Sequence, residues 1–129
     1  MTATHPGGLV LDTTALAALV SSRSVSAIVA SAPNLKLPLY APVTCLDAAD
    51  RIRPGIVAHI GRLPAIEPLE LTFTDLLRLR HRAPHVALDV AHVIALALPT
   101  PTMPGGLAVA TVLPELYADY DLNINPIGE

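Results

Sequence analysis

An aspartate that directly follows an apolar run is the residue in this chain best placed to do chemistry. Three consecutive apolar residues, Leu9–Leu11, lead into Asp12, and two threonines follow it. Consecutive rather than alternating apolar residues are typical of a central parallel strand covered on both faces. Ligands bind at the carboxyl ends of such strands, so Asp12 is expected at a ligand site. The alternative is that Asp12 only caps a helix opening at Ala15, since aspartate is a preferred N-cap residue.

A second acid lies in the apolar stretch Val86–Leu98, whose spacing predicts a helix with almost no polar face. Such a helix must be covered by other elements nearly all round. Asp89 and His92 are the exceptions and lie one turn apart on the same side. The helix dipole favours Asp89 in the first turn, and a pair with His92 or an arginine would also explain it. For His92 we favour a hydrogen-bonded core histidine over a metal ligand.

Further acids lie on a helix predicted over Val43–Arg53. Spacings of three and four residues place Asp47, Asp50 and Arg51 on the same side of it. That side of the helix is therefore polar.

Basic residues cluster around the end of another predicted helix and the turn after it. They are Arg78, Arg80, His81, Arg82 and His85. The arginines could contact nucleic-acid phosphates, and basic residues in a last helical turn are equally typical complements of the helix dipole. Aromatic residues make up only 3% of the chain, which does not support a base-stacking platform.

Composition limits the class of protein. A chain of 129 residues is one ordinary domain, here spanning 1–129, and no apolar run reaches the ~18 residues of a membrane span. The start of the chain lacks the pattern of a secretory signal, so a cytoplasmic location is expected. Net charge is −3, which provides no general attraction to nucleic acid. Cys45 is alone, which excludes an internal disulfide and a cysteine-based zinc site, and it is predicted to be a small buried hydrophobe.

Strands and helices alternate along the chain. Strands are predicted at Leu9–Leu11, Lys36–Tyr40, Ile66–Leu71, Leu107–Ala110 and Asp121–Asn125, the third of them at an exposed edge because it contains proline. Helices are predicted at Ala15–Val20, Ser24–Ala32, Val43–Arg53, Gly55–Leu63, Leu76–Arg82 and Val86–Leu98, with a proline-rich loop at Pro99–Gly106 and a turn at Pro114–Tyr117. This order predicts a three-layer α/β/α domain with a central, mostly parallel sheet.

The order of the motifs resembles that of PIN domains, which are small α/β metal-dependent ribonucleases, many of them toxins of bacterial toxin–antitoxin pairs. The resemblance covers nearly the whole chain. It is carried by Leu9–Asp12 with Thr14, by the run Asp89-Val90-Ala91-His92-Val93-Ile94-Ala95-Leu96-Ala97, and by Leu107–Thr111 with Tyr117. The run in the apolar helix is its most specific part.

The resemblance implies a site for Mg²⁺ or Mn²⁺ in which Asp12 and Asp89 are two of the acids. The third acid of the family is normally glutamate, and here Asp47 or, less favoured, Asp50 stands nearest to it. Thr14 and Thr111 are expected to border the same cleft. The family usually has Thr, one residue, then Asp after its fourth strand, whereas this chain has Thr111-Val112-Leu113. The fourth acid is therefore missing, and Leu113 puts an apolar group in its place.

Two functions follow from this pattern. One is a divalent-metal-dependent ribonuclease with a reduced acidic site, whose partners would be RNA and, for a toxin, an antitoxin. The other, favoured by Leu113, is a catalytically inactive PIN-like module that binds protein or regulates. A homodimer is compatible with both. A receiver-like phosphoacceptor domain using Asp12 is weaker, because no acidic pair precedes Asp12 and Lys36 is the only lysine.

Overall fold

The computed structural model describes residues 8–99, 101 and 105–127. The start of the chain and residues 100 and 102–104 of the predicted proline-rich loop lie outside the described residues. The strands are β1 Leu9–Leu11, β2 Leu39–Pro42, β3 Ile66–Leu69, β4 Ala108–Thr111 and β5 Ile124–Pro126. The helices are α1 Thr13–Ala17, α2 Arg23–Leu35, α3 Val43–Ile52, α4 Ile56–Gly61, α5 Phe73–Arg82 and α6 Leu88–Ala97, and a 3₁₀ turn covers Pro114–Tyr117.

The five strands form one sheet in the order β3-β2-β1-β4-β5, and every neighbouring pair is parallel. With helices on its faces, this sheet confirms the predicted three-layer α/β/α class. β1 is central, between β2 and β4, and its residues are buried, as its uninterrupted apolar run predicts. The chain first builds outward from β1 on one side and then continues on the other. The strand order therefore reverses beside β1, at the point where open α/β sheets bind ligands.

Helix α6 forms the wall that the other elements share. It contacts β1, β2 and β4 as well as α3 and α5. Residues 91–94 are all buried, so the expectation that this helix is covered nearly all round is confirmed. Within the described part of the chain, no helix is long and apolar enough to cross a membrane.

The boundary between α2 and β2 differs from the sequence prediction. A helix end at Pro33 and a strand from Lys36 were expected, but α2 continues to Leu35 and Lys36 takes a left-handed conformation as its C-cap. The Lys36 and Leu37 amides donate to the carbonyls of residues 33 and 32, which satisfies the end of the helix. Pro33 lies in the last turn of α2 and cannot donate the hydrogen bond that an amide there would make to the Val29 carbonyl.

Gly8 lets β1 begin close against β2. Its φ is 122°, and a Cβ there would lie 2.7 Å from the Pro38 carbonyl oxygen. We expect Gly8→Ala to lower the free energy of unfolding by about 2 kcal/mol or more, because it combines backbone strain with a clash against main chain. Urea denaturation monitored by circular dichroism measures the change.

Gly61→Ala is the matched control. Gly61 ends α4, and a Cβ there would meet nothing within 4 Å. This substitution should be neutral or stabilising by about 0.4–1 kcal/mol. Equal effects of the two substitutions would contradict the close approach of β1 and β2 at Gly8.

Candidate functional site

Asp12 leaves the carboxyl end of β1 with only 1% of its surface exposed. Its Oδ1 accepts hydrogen bonds from the Ala15 amide at 2.9 Å and from the Thr14 hydroxyl at 2.6 Å. Its Oδ2 accepts a hydrogen bond from the Tyr117 hydroxyl at 2.8 Å. Asp12 is therefore the N-cap of α1, as the alternative interpretation expected, and it also lines a cavity. The cap role and a ligand role use the same carboxylate.

A directed chain of hydroxyls supports Asp12 from behind. The single Thr14 hydroxyl proton goes to Asp12, so in the 3.2 Å contact between the two hydroxyls Thr111 must be the donor to Thr14. The Leu113 amide in turn donates to the Thr111 hydroxyl at 3.0 Å. Bonds aligned in one direction strengthen one another, and this chain ends on the Asp12 carboxylate. Thr14 lines the cavity, whereas Thr111 is fully buried behind it.

Asp89 lies in the first turn of α6 and accepts a hydrogen bond from the Thr13 hydroxyl at 2.6 Å. This bond joins α1 to α6, two helices that are far apart in the sequence. Neither pairing that the sequence suggested for Asp89 is found, because the partner is a threonine rather than His92 or an arginine.

Asp12 and Asp89 border the same cavity, which has a volume of about 180 Å³ and is called here the Asp12 cavity. Its other lining residues are Thr13, Thr14, Cys45, Val90, Leu116 and Tyr117. Two acids carried by separate elements therefore border one cavity at the carboxyl end of β1.

Burial and the charges of the two acids shift the pKa values of two other residues that line the Asp12 cavity. Burial, opposed by a Thr13 hydrogen bond and reinforced by the charges of Asp12 and Asp89, raises the pKa of the Cys45 thiol to about 12. Burial and then the Asp12 charge also raise the pKa of Tyr117. Both groups are consequently neutral at physiological pH. Cys45 is a buried neutral thiol rather than a nucleophile, as its isolation in the sequence suggested.

Asp47 lies on the other side of Asp89. It is exposed on α3 and pairs with Arg51 at 3.2 Å. With Asp89 it borders a second cavity of about 320 Å³, called here the Asp47 cavity. The remaining lining residues are Val43, Thr44, Arg51, Ala87 and Leu88. Asp89 is thus shared, while Asp12 and Asp47 face different cavities.

The described residues contain no group of three or more histidine, cysteine, aspartate or glutamate side chains arranged to hold a metal ion. Asp50 does not supply the third acid, since its Oδ1 accepts from the Gly55 and Val57 amides at the start of α4. Leu113, which stands where the resemblance expects the fourth acid, is not part of the hydrophobic core, because 42% of its surface is exposed. The arrangement offers two carboxylates in one cavity and a third in the next.

A partly buried hydrogen bond joins the two helices that carry Asp47 and Asp89. The Thr44 hydroxyl lies 2.8 Å from His92 Nδ1, and Thr44 and His92 are each three residues from one of those acids. His92 is the hydrogen-bonded core histidine that was expected, with Nε2 lacking a hydrogen-bond partner among the described residues. Burial lowers the pKa of His92, against the opposing influence of the Glu70 backbone and the Asp75 charge. The Thr44–His92 bond therefore fastens α3 to α6 close to the residues that carry the two acids.

The arginines predicted to contact nucleic acid lie on α5. Arg78 is ion-paired with Asp75, and Arg80 donates to the Val86 carbonyl at 2.8 Å. Arg78 and Arg82 border the same cavity as Leu98, the C-cap of α6. Leu98 and Asp89 lie at opposite ends of α6, about 14 Å apart along the helix axis. These arginines do not line either acidic cavity.

Two residues of the site, Thr13 and Tyr117, were missed as functional by sequence reasoning. Thr13 was seen only as a possible cap, and Tyr117 only as part of the motif order. Only their residue type could have indicated this role, since hydroxyl side chains can donate a hydrogen bond to a carboxylate. Their contacts with Asp12 and Asp89 depend on parts of the chain 76 and 105 residues apart.

No family model, curated protein or solved structure matches this chain. The PIN resemblance remains a prediction from the residues.

The Tyr117 hydroxyl is a donor to a buried carboxylate. We expect Tyr117→Phe to lower the free energy of unfolding by about 1–3 kcal/mol, because Asp12 Oδ2 loses a partner where water cannot easily replace it. Urea denaturation measures the loss. Tyr40→Phe, the same change in β2, is the control, and an equal loss there would show that the Asp12 contact has no special weight.

The depressed pKa of His92 predicts a pH dependence of stability. The unfolded chain binds the proton more tightly than the folded one, so the free energy of unfolding should fall as pH drops below the ordinary histidine pKa of about 6.5. The decline should stop below the folded-state pKa. Urea titrations between about pH 5 and pH 8 test this, with His92→Asn expected to remove that part of the pH dependence. His59→Asn, on exposed α4, should leave it in place; loss of the dependence there instead would contradict the assignment.

Proposed function

We propose that this chain is a PIN-like, divalent-metal-dependent ribonuclease in which Asp12 and Asp89 hold one Mg²⁺ or Mn²⁺ ion. The observation that carries the proposal is that the two carboxylates border one cavity at the carboxyl edge, beside the reversal of strand order. RNA would be the substrate, and in a toxin–antitoxin form of this function an antitoxin would be the protein partner, in the cytoplasm.

The donor set fits a weakly held ion rather than an all-protein cage. Mg²⁺ commonly retains several waters and is bound through one or two carboxylates plus substrate phosphates. Tyr117 occupies one acceptor position of Asp12 Oδ2, and a carboxylate oxygen can accept more than one partner. A bound divalent cation would supply neutralisation of phosphate charge and a more acidic water molecule.

The chain's own residues prepare the two carboxylates for this task. Thr14 and Tyr117 hold the Asp12 oxygens in place, and Thr13 orients Asp89. Cys45 closes the cavity as a neutral thiol, so it adds no third negative charge. Asp47 is carried by α3, which the Thr44–His92 bond fastens beside α6. These contacts support a preorganised acidic edge that meets phosphate only with the aid of a cation.

A catalytically inactive PIN-like module is the second candidate. It is favoured by Leu113 in place of an acid and by the three hydrogen bonds that Asp12 already accepts from the protein. In that case the carboxylates serve the fold, and the function is binding to another protein.

Metal binding separates the two candidates. We expect the wild-type chain to bind Mn²⁺ more tightly than Mg²⁺, following the usual affinity order, and to cleave single-stranded RNA with either ion. Asp89→Asn should weaken binding at least tenfold and abolish cleavage, because it removes one of two charged ligands. Calorimetric titration and a gel assay of labelled RNA measure these effects.

Asp119→Asn serves as the control, since Asp119 is an exposed acid that lines neither acidic cavity. It should leave both affinity and cleavage unchanged. If wild type and Asp89→Asn give the same absence of heat and of cleavage, the inactive module is the better description.

Leu113→Asp restores an acid where the family resemblance expects one. Because Leu113 is partly exposed, the substitution should cost less than about 1 kcal/mol of stability in the absence of metal. If the new carboxylate reaches the ion, Mn²⁺ should raise the melting temperature of the variant more than that of wild type, and cleavage should increase. Leu116→Asp, which places an acid on the wall of the Asp12 cavity nearby, is the comparison. No gain with Leu113→Asp would show that position 113 does not belong to the ion site.

A further inference from the structure

We propose that Arg51 is the residue that binds an RNA phosphate at this site, and that Asp47 holds it in the ligand-free protein. This inference rests on the proposed ribonuclease function and adds its contact with the substrate backbone. It replaces the arginines near the end of α5, which the sequence suggested for that role.

Location is the first argument. Arg51 lines the Asp47 cavity together with Asp89, the acid that also borders the Asp12 cavity. Arg78 and Arg82 instead border the end of α6 that is farthest from Asp89. Among the arginines that line the described cavities, Arg51 alone shares a cavity with a candidate metal ligand.

Charge is the second argument. An RNA strand is repelled by Asp47 and Asp89 unless a cation faces it at the same surface. Arg51 supplies that cation, and its planar guanidinium has donors arranged to grip a phosphate with two bonds. The Asp47 cavity, at about 320 Å³, leaves room for a phosphate group beside the ion pair.

The ease of breaking the ion pair is the third argument. Both side chains of the Asp47–Arg51 pair are 74% exposed, and they lie four residues apart on one helix. Exposed pairs of this kind contribute little to stability, so a phosphate can take over Arg51 without disturbing the fold. Exchange also releases the Asp47 carboxylate in a cavity that it shares with Asp89. Binding of a phosphate to Arg51 therefore also frees the carboxylate of Asp47 from its ion pair.

The test uses a short fluorescein-labelled single-stranded RNA and the full chain, with Ca²⁺ as the divalent ion and with EDTA in a parallel series. Fluorescence anisotropy gives affinity across a range of salt concentrations. Arg51→Ala should weaken binding about three- to fivefold and reduce the salt slope by about 0.7, the value for one lost phosphate contact on a single strand. Arg51→Lys should retain the slope and lose part of the affinity, since it keeps the charge without the planar fork.

Two further variants complete the design. Arg62→Ala removes an exposed arginine at the end of α4 and should change neither affinity nor slope. Asp47→Asn should increase RNA affinity in EDTA, because it releases Arg51 from its partner, and this gain should vanish in the Asp47→Asn, Arg51→Ala double variant. Circular dichroism confirms that each variant is folded.

The outcomes separate this inference from the proposed function. If Arg51→Ala behaves like Arg62→Ala, or if the wild-type chain does not bind RNA, the phosphate role of Arg51 is wrong. If Arg51 governs binding but no RNA is cleaved with Mg²⁺ or Mn²⁺, the phosphate site stands and the ribonuclease proposal fails. If RNA is cleaved while Arg51→Ala has no effect on affinity or slope, the ribonuclease proposal stands and the phosphate role of Arg51 is wrong.

Discussion

Burial of the Asp12 carboxylate is the constraint on which the rest of the site depends. A charge removed from water costs several kcal/mol unless polar partners replace the lost solvation. Here two partners are local, the amide of Ala15 and the hydroxyl of Thr14 in α1, while the third, the hydroxyl of Tyr117 in the 3₁₀ turn, lies 105 residues away in the sequence. All three must arrive together for β1 to end in an acid at the centre of the sheet. The packing of β4 and of the turn after it is therefore tied to the solvation of one side chain.

The same contacts set the chemical character of the site. Donors that make Asp12 tolerable inside the protein also occupy positions that a metal ion would use, so a stable fold and a strong ion site compete for one carboxylate. Burial, reinforced by the surrounding negative charge, raises the pKa of Cys45 and of Tyr117 and keeps both groups neutral. The result is an acidic cavity with no side-chain cation on its wall. The ribonuclease proposal and the inactive module therefore differ mainly in whether a divalent cation binds in this cavity.

Helix α6 links the two acidic cavities because its Asp89 borders both of them. His92 lies one turn further along the same helix. Asp89 is tied to α1 through Thr13, and His92 is tied to α3 through Thr44. The Thr44–His92 hydrogen bond fastens α3 against α6 and so constrains how the two helices align. That alignment brings Asp47 and its partner Arg51 to the cavity next to Asp12.

The sequence by itself determined the α/β/α class, the central position of β1 and the burial of α6, because apolar runs and their periods depend only on local residue order. It also identified Asp12 and Asp89, since an acid that interrupts such a run stands out. Tertiary structure alone decided that Thr13 and Tyr117 serve these acids, that Asp47 faces a neighbouring cavity, and that Arg78 and Arg82 border the end of α6 opposite Asp89. The physical reason is that each of these facts is a contact or separation between elements distant in the chain. Hydrogen bonds and charge pairs act over a few ångströms, and residue spacing along the sequence does not specify which distant hydroxyl or guanidinium comes within that distance.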